Sequence, residues 1–139
     1  MKLVTFGETM VQYNARYTGA YDPAGKHLLD VAGAESNVAL NLNKLGVAGI
    51  ETTWVSRLGD DEAGRTVLSR LDGITRVEAR ICPGERTGVS YVNHYADGEN
   101  IKTYKRAGSA ASKLTFDHVE PHLGSASVLH VTGITPALS

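Results

Sequence analysis

Val31-Ala32-Gly33-Ala34-Glu35-Ser36-Asn37-Val38-Ala39 is the stretch whose reading decides the fold. Small residues and a glycine lead into a polar pair, and a helical pattern follows. Such a turn lets backbone approach a polar ligand at a helix N-terminus, where unsatisfied N–H groups point outward. The pattern predicts a helix over residues 36–45, with Val38, Leu42 and Leu45 on one face and Gly46 as its stop. Upstream, residues 3–6 read as a short buried strand closed by Gly7. Downstream, residues 51–56 carry the β-formers Thr52, Thr53, Trp54 and Val55. Asp60-Asp61-Glu62 then opens a second helix, since acidic side chains suit the positive end of a helix. Its apolar stripe is Ala63, Val67, Leu68 and Leu71, and Asp72-Gly73 ends it. Strands are predicted at 77–81 and 128–131. Between them, residues 114–123 read as a short helix or turn interrupted by Pro121. This alternation argues for an α/β domain with a largely parallel sheet.

Two segments break the rhythm. Val11 and Tyr13 alternate with polar neighbours, as do parts of 26–31, around a loop at 18–25. Residues 87–95 and 100–106 read as a hairpin joined across Ala96-Asp97-Gly98-Glu99. On periodicity alone these are extra antiparallel strands.

Bulk properties narrow the classes. The 139 residues are 42% hydrophobic and 21% charged, with a net charge of −1, as in an ordinary soluble domain. Interspersed charges give no basic patch for nucleic acid. Cys82 is the single cysteine, which removes an intrachain disulfide and any cysteine-based metal site. No apolar run reaches the roughly 18 residues of a membrane helix, and no signal segment is visible. A cytoplasmic setting is the expectation.

Several residues carry candidate chemistry. Gly33 and Asn37 pair a close backbone approach with a side chain that both donates and accepts, as a ligand rich in hydroxyl groups requires. The plain alternative is a turn glycine and a first-turn capping residue. Tyr104 and Arg106 lie two apart on a strand and face the same way. A guanidinium can hold a carboxylate in a bidentate pair, and a Tyr hydroxyl can orient a polar ligand beside it. The alternative is a surface-strand arginine. In Thr87-Gly88-Val89-Ser90-Tyr91 adjacent residues point to opposite faces, so Ser90 and Tyr91 face opposite sides, and packing is as open to Tyr91 as a ligand contact. Ile134 lines a pocket or packs in the core. Glu8 and Glu35 have no visible partner. His118 and His122 are four apart, yet Pro121 and the lack of a third ligand argue against zinc. Dinucleotide, P-loop and Ser-His-Asp patterns are missing.

Four further segments, read in order, carry a resemblance. They are Lys2-Leu3-Val4-Thr5-Phe6-Gly7-Glu8, Arg57-Leu58-Gly59-Asp60-Asp61-Glu62-Ala63-Gly64, Tyr104-Lys105-Arg106-Ala107-Gly108-Ser109-Ala110, and Thr132-Gly133-Ile134-Thr135-Pro136-Ala137-Leu138-Ser139. With Gly33–Asn37 they resemble the N-terminal half of ribokinase-like (PfkB-type) sugar kinases. The Tyr-x-Arg-x-Gly-Ser-Ala and Gly-Ile-Thr-Pro-Ala segments look most like the 2-keto-3-deoxygluconate kinases in that family. The resemblance covers nearly the whole chain. It implies a three-layer α/β sandwich with a mostly parallel sheet and a small β-strand lid near 11–31 and 87–106. It implies ATP-dependent phosphorylation of a sugar acid, with Gly33, Asn37, Tyr91, Tyr104, Arg106 and Ile134 on the substrate. The family carries its nucleotide site, anion hole and catalytic aspartate in a second half, whose motifs do not occur here. The expectation is therefore an N-terminal part of one domain, inactive alone, with ATP and Mg bound mainly by the other half and no catalytic, cofactor or metal residue assigned in this chain. Pairing through the lid into a homo-oligomer is a further implication. Two rivals stand beside this reading: a sibling kinase for a neutral sugar such as fructose or ribose, and a non-catalytic half-domain that binds a sugar or a partner.

Overall fold

The computed structural model describes residues 1–137. Leu138 and Ser139, the end of the last motif, lie outside the described residues. Eight strands and three α-helices follow in chain order: β1 (Lys2–Phe6), β2 (Met10–Thr18), β3 (His27–Ala32), α1 (Ala34–Lys44), β4 (Glu51–Gly59), α2 (Glu62–Leu71), β5 (Arg76–Cys82), β6 (Val89–His94), β7 (Asn100–Lys105), α3 (Phe116–Leu123) and β8 (Val128–His130). They build two sheets. One is wholly parallel, in the order β5-β4-β1-β8. The other, β3-β2-β6-β7, joins two antiparallel hairpins through a parallel β2–β6 pair.

A parallel sheet must be covered on both faces. Adjacent residues of β4 meet that need in opposite directions. Trp54 and Leu58 pack with Leu40 of α1 and with Val67 and Leu71 of α2. Val55 packs with Val4 of β1 and Val119 of α3. The α/β sandwich with a mostly parallel sheet is thus present, and the second sheet lies where the lid strands were expected. Its Val11 side joins the first core beside α2. Among the described residues no helix is long and apolar enough to cross a membrane.

Three local expectations change. The buried face of α1 is Glu35, Ser36, Ala39 and Leu40, not the Val38–Leu42–Leu45 stripe; Leu45 is 73% exposed. Short side chains let α1 lie close on β1 and β4, and Asn43 reaches across to Thr52. Gly46 does end the helix, at φ 63°, a left-handed conformation that favours glycine. Second, α3 runs through Pro121. The hydrogen bond lost there belongs to the exposed end of a short helix, so its carbonyl partner remains open to water. Third, Ile134 is 45% exposed and so is not a core residue.

Asp61 and Arg57, from the second motif, hold the layers together. Asp61 Oδ1 accepts from the Gly64 N–H (2.7 Å) and the Thr87 hydroxyl (2.8 Å), and Oδ2 accepts from the Thr87 N–H (2.8 Å). Burial pushes its carboxyl up, but these hydrogen bonds and the Arg65 charge outweigh it and hold the carboxyl below its ordinary value. A depressed carboxylate adds stability that is complete above its unfolded value, near pH ~4, and that fades as the pH falls through the folded value. Asp61→Ala is expected to cost about 0.5–2 kcal/mol at pH 7, as for other lost caps, and to flatten the acid limb of the stability curve. Urea titrations from pH 7 to 3 read both effects. An unchanged acid limb would contradict the assignment.

Candidate functional site

The site is assembled where four chain turns converge: β1 into β2, β3 into α1, the segment after β7, and the segment after β8. Gly7 anchors the first turn. Its carbonyl accepts the Trp54 indole N–H (3.2 Å) and the Ser56 hydroxyl (2.7 Å), both fully buried on β4.

Glu8 follows, with a side chain only 1% exposed. Arg106 donates from Nε to Glu8 Oε2 at 2.6 Å, and its Nη2 forms an ion pair with the same oxygen, also at 2.6 Å. The Ser109 hydroxyl donates to Oε1, also at 2.6 Å. The Tyr104 ring flanks the guanidinium, 5.6 Å from ring centroid to Cζ. Gly33 touches the same turn from the other side. A Cβ on Gly33 would come within 2.6 Å of the Glu8 carbonyl oxygen, Thr9 Oγ1 and Ser36 Oγ. Only a glycine allows that approach without displacing backbone. Thr9 and Ser36 bond each other across it (2.7 Å).

A second buried carboxylate lies in the first turn of α1. Glu35 is 1% exposed, and its Oε1 accepts from Thr132 and from Thr135 (3.0 Å), which follow β8. Its place suits the positive end of α1. Both glutamates thus have partners about a hundred positions away in sequence, which local reading could not reveal. The partners themselves were in view. Ser109 belongs to the Tyr-x-Arg-x-Gly-Ser-Ala segment, and Thr132 and Thr135 flank Ile134.

The structure therefore brings Gly33, Tyr104 and Arg106 to one place through Glu8. Asn37 stands one turn along α1, exposed, lining a cleft of about 270 Å³ with Asp30, Lys44 and Arg70. Tyr91 is separated from this group. Ser90 pairs with Gln12 and with Tyr104, so these three share one face of the lid sheet, and Tyr91 has the opposite face. There it stacks on Tyr13 at 5.3 Å and meets Tyr21 edge-on at 4.6 Å. Of the two residues left open by the sequence, Ser90 is the one aligned with Tyr104; it is fully buried, and among the described residues its hydroxyl has no hydrogen-bond partner. Ile134 is near Glu35 only through its neighbours Thr132 and Thr135.

His118 is committed elsewhere. Nδ1 closes a capping box with Thr115, and Nε2 lies 2.9 Å from Arg57 Nη1. Arg57 also forks onto both oxygens of Glu85 (2.9 and 3.1 Å) and donates to the Ala110 carbonyl. Among the described residues no group of three or more His, Cys, Asp or Glu side chains could hold a metal ion.

A parallel α/β layer with a separate antiparallel-edged lid, and a polar site at their junction, defines the class of fold. Comparison with known proteins supplies the family. The model of the pfkB family of carbohydrate kinases matches residues 1–139, and the chain belongs to that family. It is 38% identical over its whole length to a 2-dehydro-3-deoxygluconokinase of Bacillus subtilis (strain 168), covering 44% of that protein. It is 34% identical to a 2-dehydro-3-deoxygluconokinase of Thermoproteus tenax, again over its whole length and 43% of the relative. Among solved structures, a PfkB protein from Polaromonas sp. JS666 superposes with a TM-score of 0.87 at 34% identity, over 99% of this chain and 47% of that one. The chain spans less than half the length of these relatives.

Proposed function

We propose that this chain is the sugar-binding part of a kinase that phosphorylates 2-keto-3-deoxygluconate (2-dehydro-3-deoxygluconate) with ATP, and that its 139 residues form the N-terminal part of a single ribokinase-like domain. The observation that carries the reading is the placement of Arg106. It is turned inward beside Tyr104 at the junction of lid and parallel layer, with its side chain 20% exposed. An inward arginine next to a phenol is suited to a ligand that bears both a carboxylate and hydroxyls. A neutral sugar has no use for the charge. The names of the two relatives at 38% and 34% identity support the same substrate.

In this reading Arg106 binds the substrate carboxylate and Tyr104 orients the chain of the sugar acid. Gly33 opens the α1 N-terminus to a substrate oxygen, and Asn37 reaches a hydroxyl from one turn further. The lid sheet excludes water from the reacting end. ATP supplies the phosphoryl group. Mg accompanies the nucleotide, and in this reading both are bound mainly by the second half of the domain.

The test is an ATP-consumption assay on protein expressed from its complete gene, with 2-keto-3-deoxygluconate and fructose in parallel. The expected kcat/KM for the sugar acid exceeds that for fructose by at least about 100-fold, the discrimination available when a polar site is left unmatched. Equal or inverted values would reject the sugar-acid reading in favour of a neutral sugar.

A further inference from the structure

An arginine offers two bidentate edges. The side edge is Nε with Nη2, and the end edge is Nη1 with Nη2. Glu8 takes the whole side edge of Arg106 on a single oxygen, Oε2. Its other oxygen is held by Ser109. Among the described residues Nη1 makes no hydrogen bond, so the end edge is left for a ligand. Glu8 has little room to move. A Cβ on Gly88 would collide with Oε1, and the Glu8 carbonyl oxygen is packed against Gly33. Ser109 and Gly88 thus confine the carboxylate at Oε1, and Gly33 confines the backbone that carries it, before it meets the arginine.

We propose that Glu8 is a positioning residue for substrate recognition. It binds the side edge of Arg106, fixes the plane of the guanidinium, and presents the end edge to the substrate carboxylate. The proposal rests on the sugar-acid reading above and adds a residue to it. A long, flexible arginine would otherwise lose rotamer freedom on each binding event, and orientation errors near one ångström are costly. The same contact lowers the unshielded charge at the site, which leaves the geometry of the end edge to decide which anions bind.

The substitutions E8Q, E8A and S109A separate geometry from charge. Gln keeps a carbonyl oxygen that can accept from both Nε and Nη2, with its amide turned to Ser109; Ala keeps neither. In protein expressed from its complete gene, E8A is expected to raise KM for 2-keto-3-deoxygluconate about tenfold with kcat within about twofold, the pattern of lost ground-state binding. E8Q should restore KM to within about threefold of the parent value. In a ¹⁵N spectrum the Arg106 Nε–H signal should be protected in the parent and in E8Q, and should exchange freely in E8A. If E8A does not fold, S109A reads the same contact: a KM rise of about threefold and faster Nε–H exchange are expected. An unchanged KM in E8A, equal losses in E8A and E8Q, or no change in S109A on either measure where E8A fails to fold would overturn the proposal. R106A measured alongside keeps the two readings apart. If R106A leaves KM unchanged, the carboxylate reading fails and takes the proposal with it. If R106A raises KM while E8A does not, the proposal alone fails.

Discussion

If the sugar-acid reading holds, Arg106→Ala in protein expressed from its complete gene is expected to raise KM for 2-keto-3-deoxygluconate by about 30- to 900-fold, the equivalent of about 2–4 kcal/mol for a desolvated charge pair left half-made. Steady-state kinetics on the sugar acid and on a neutral sugar give the comparison that matters. Removing Arg106 also leaves the Glu8 carboxylate, 1% exposed, with Ser109 as its remaining partner. That strains the fold for any substrate and would depress turnover of both sugars alike. The carboxylate contact is therefore the excess loss on the sugar acid. Equal losses on both sugars would show that Arg106 is architectural.

Trp54→Ala destabilises the fold by about 3–5 kcal/mol, the cost of deleting a large buried aromatic. Against a typical domain stability of about 5–15 kcal/mol, this leaves little margin. Trp54 is fully buried on β4 between α1 and α2, and its indole N–H also fixes the Gly7 carbonyl. The loss therefore reaches the turn that carries Glu8. Trp54→Phe keeps most of the volume and drops the hydrogen bond, so it should cost about 1–3 kcal/mol. Far-UV circular dichroism in urea measures both, since Trp54 is the only tryptophan and fluorescence is lost with it. A cost below that of the Phe variant would mean the layer closes over the cavity, contrary to the packing described.

The parallel layer was legible because its signals are local. The runs at Leu3–Phe6 and Thr52–Val55 alternate with helix starts at Gly33 and Asp61, and each is bounded by a glycine or an acidic cap. The buried face of α1 was not legible. Hydrophobicity points to Val38, Leu42 and Leu45, whereas packing selects Ala39, Leu40 and the polar Glu35 and Ser36, whose hydrogen-bond partners lie in the β1–β2 turn and in the segment after β8. The same holds for Glu8. Nothing near it in sequence shows that Arg106 and Ser109 will neutralise and fix it. At the lid, alternation shows that Ser90 and Tyr91 face opposite ways, but the register with Tyr104 is needed to sort them. Side-chain periodicity reports which residues share a face. It does not report what that face will meet.

The parallel pairing of β2 with β6 has a kinetic consequence. Val11 pairs with Val89 across a stretch of chain that holds β3, α1, β4, α2 and β5. Each hairpin, β2–β3 and β6–β7, can close on its own in about 1–10 μs. Their union requires a long loop to close, and such non-local pairings come late in folding. The lid is then expected to assemble last and to open first. Its outer strand β7, exposed at every position, should lose amide protection before any strand of the parallel layer. A ligand that ties Arg106 to the parallel layer would register first as slowed hydrogen exchange along β7.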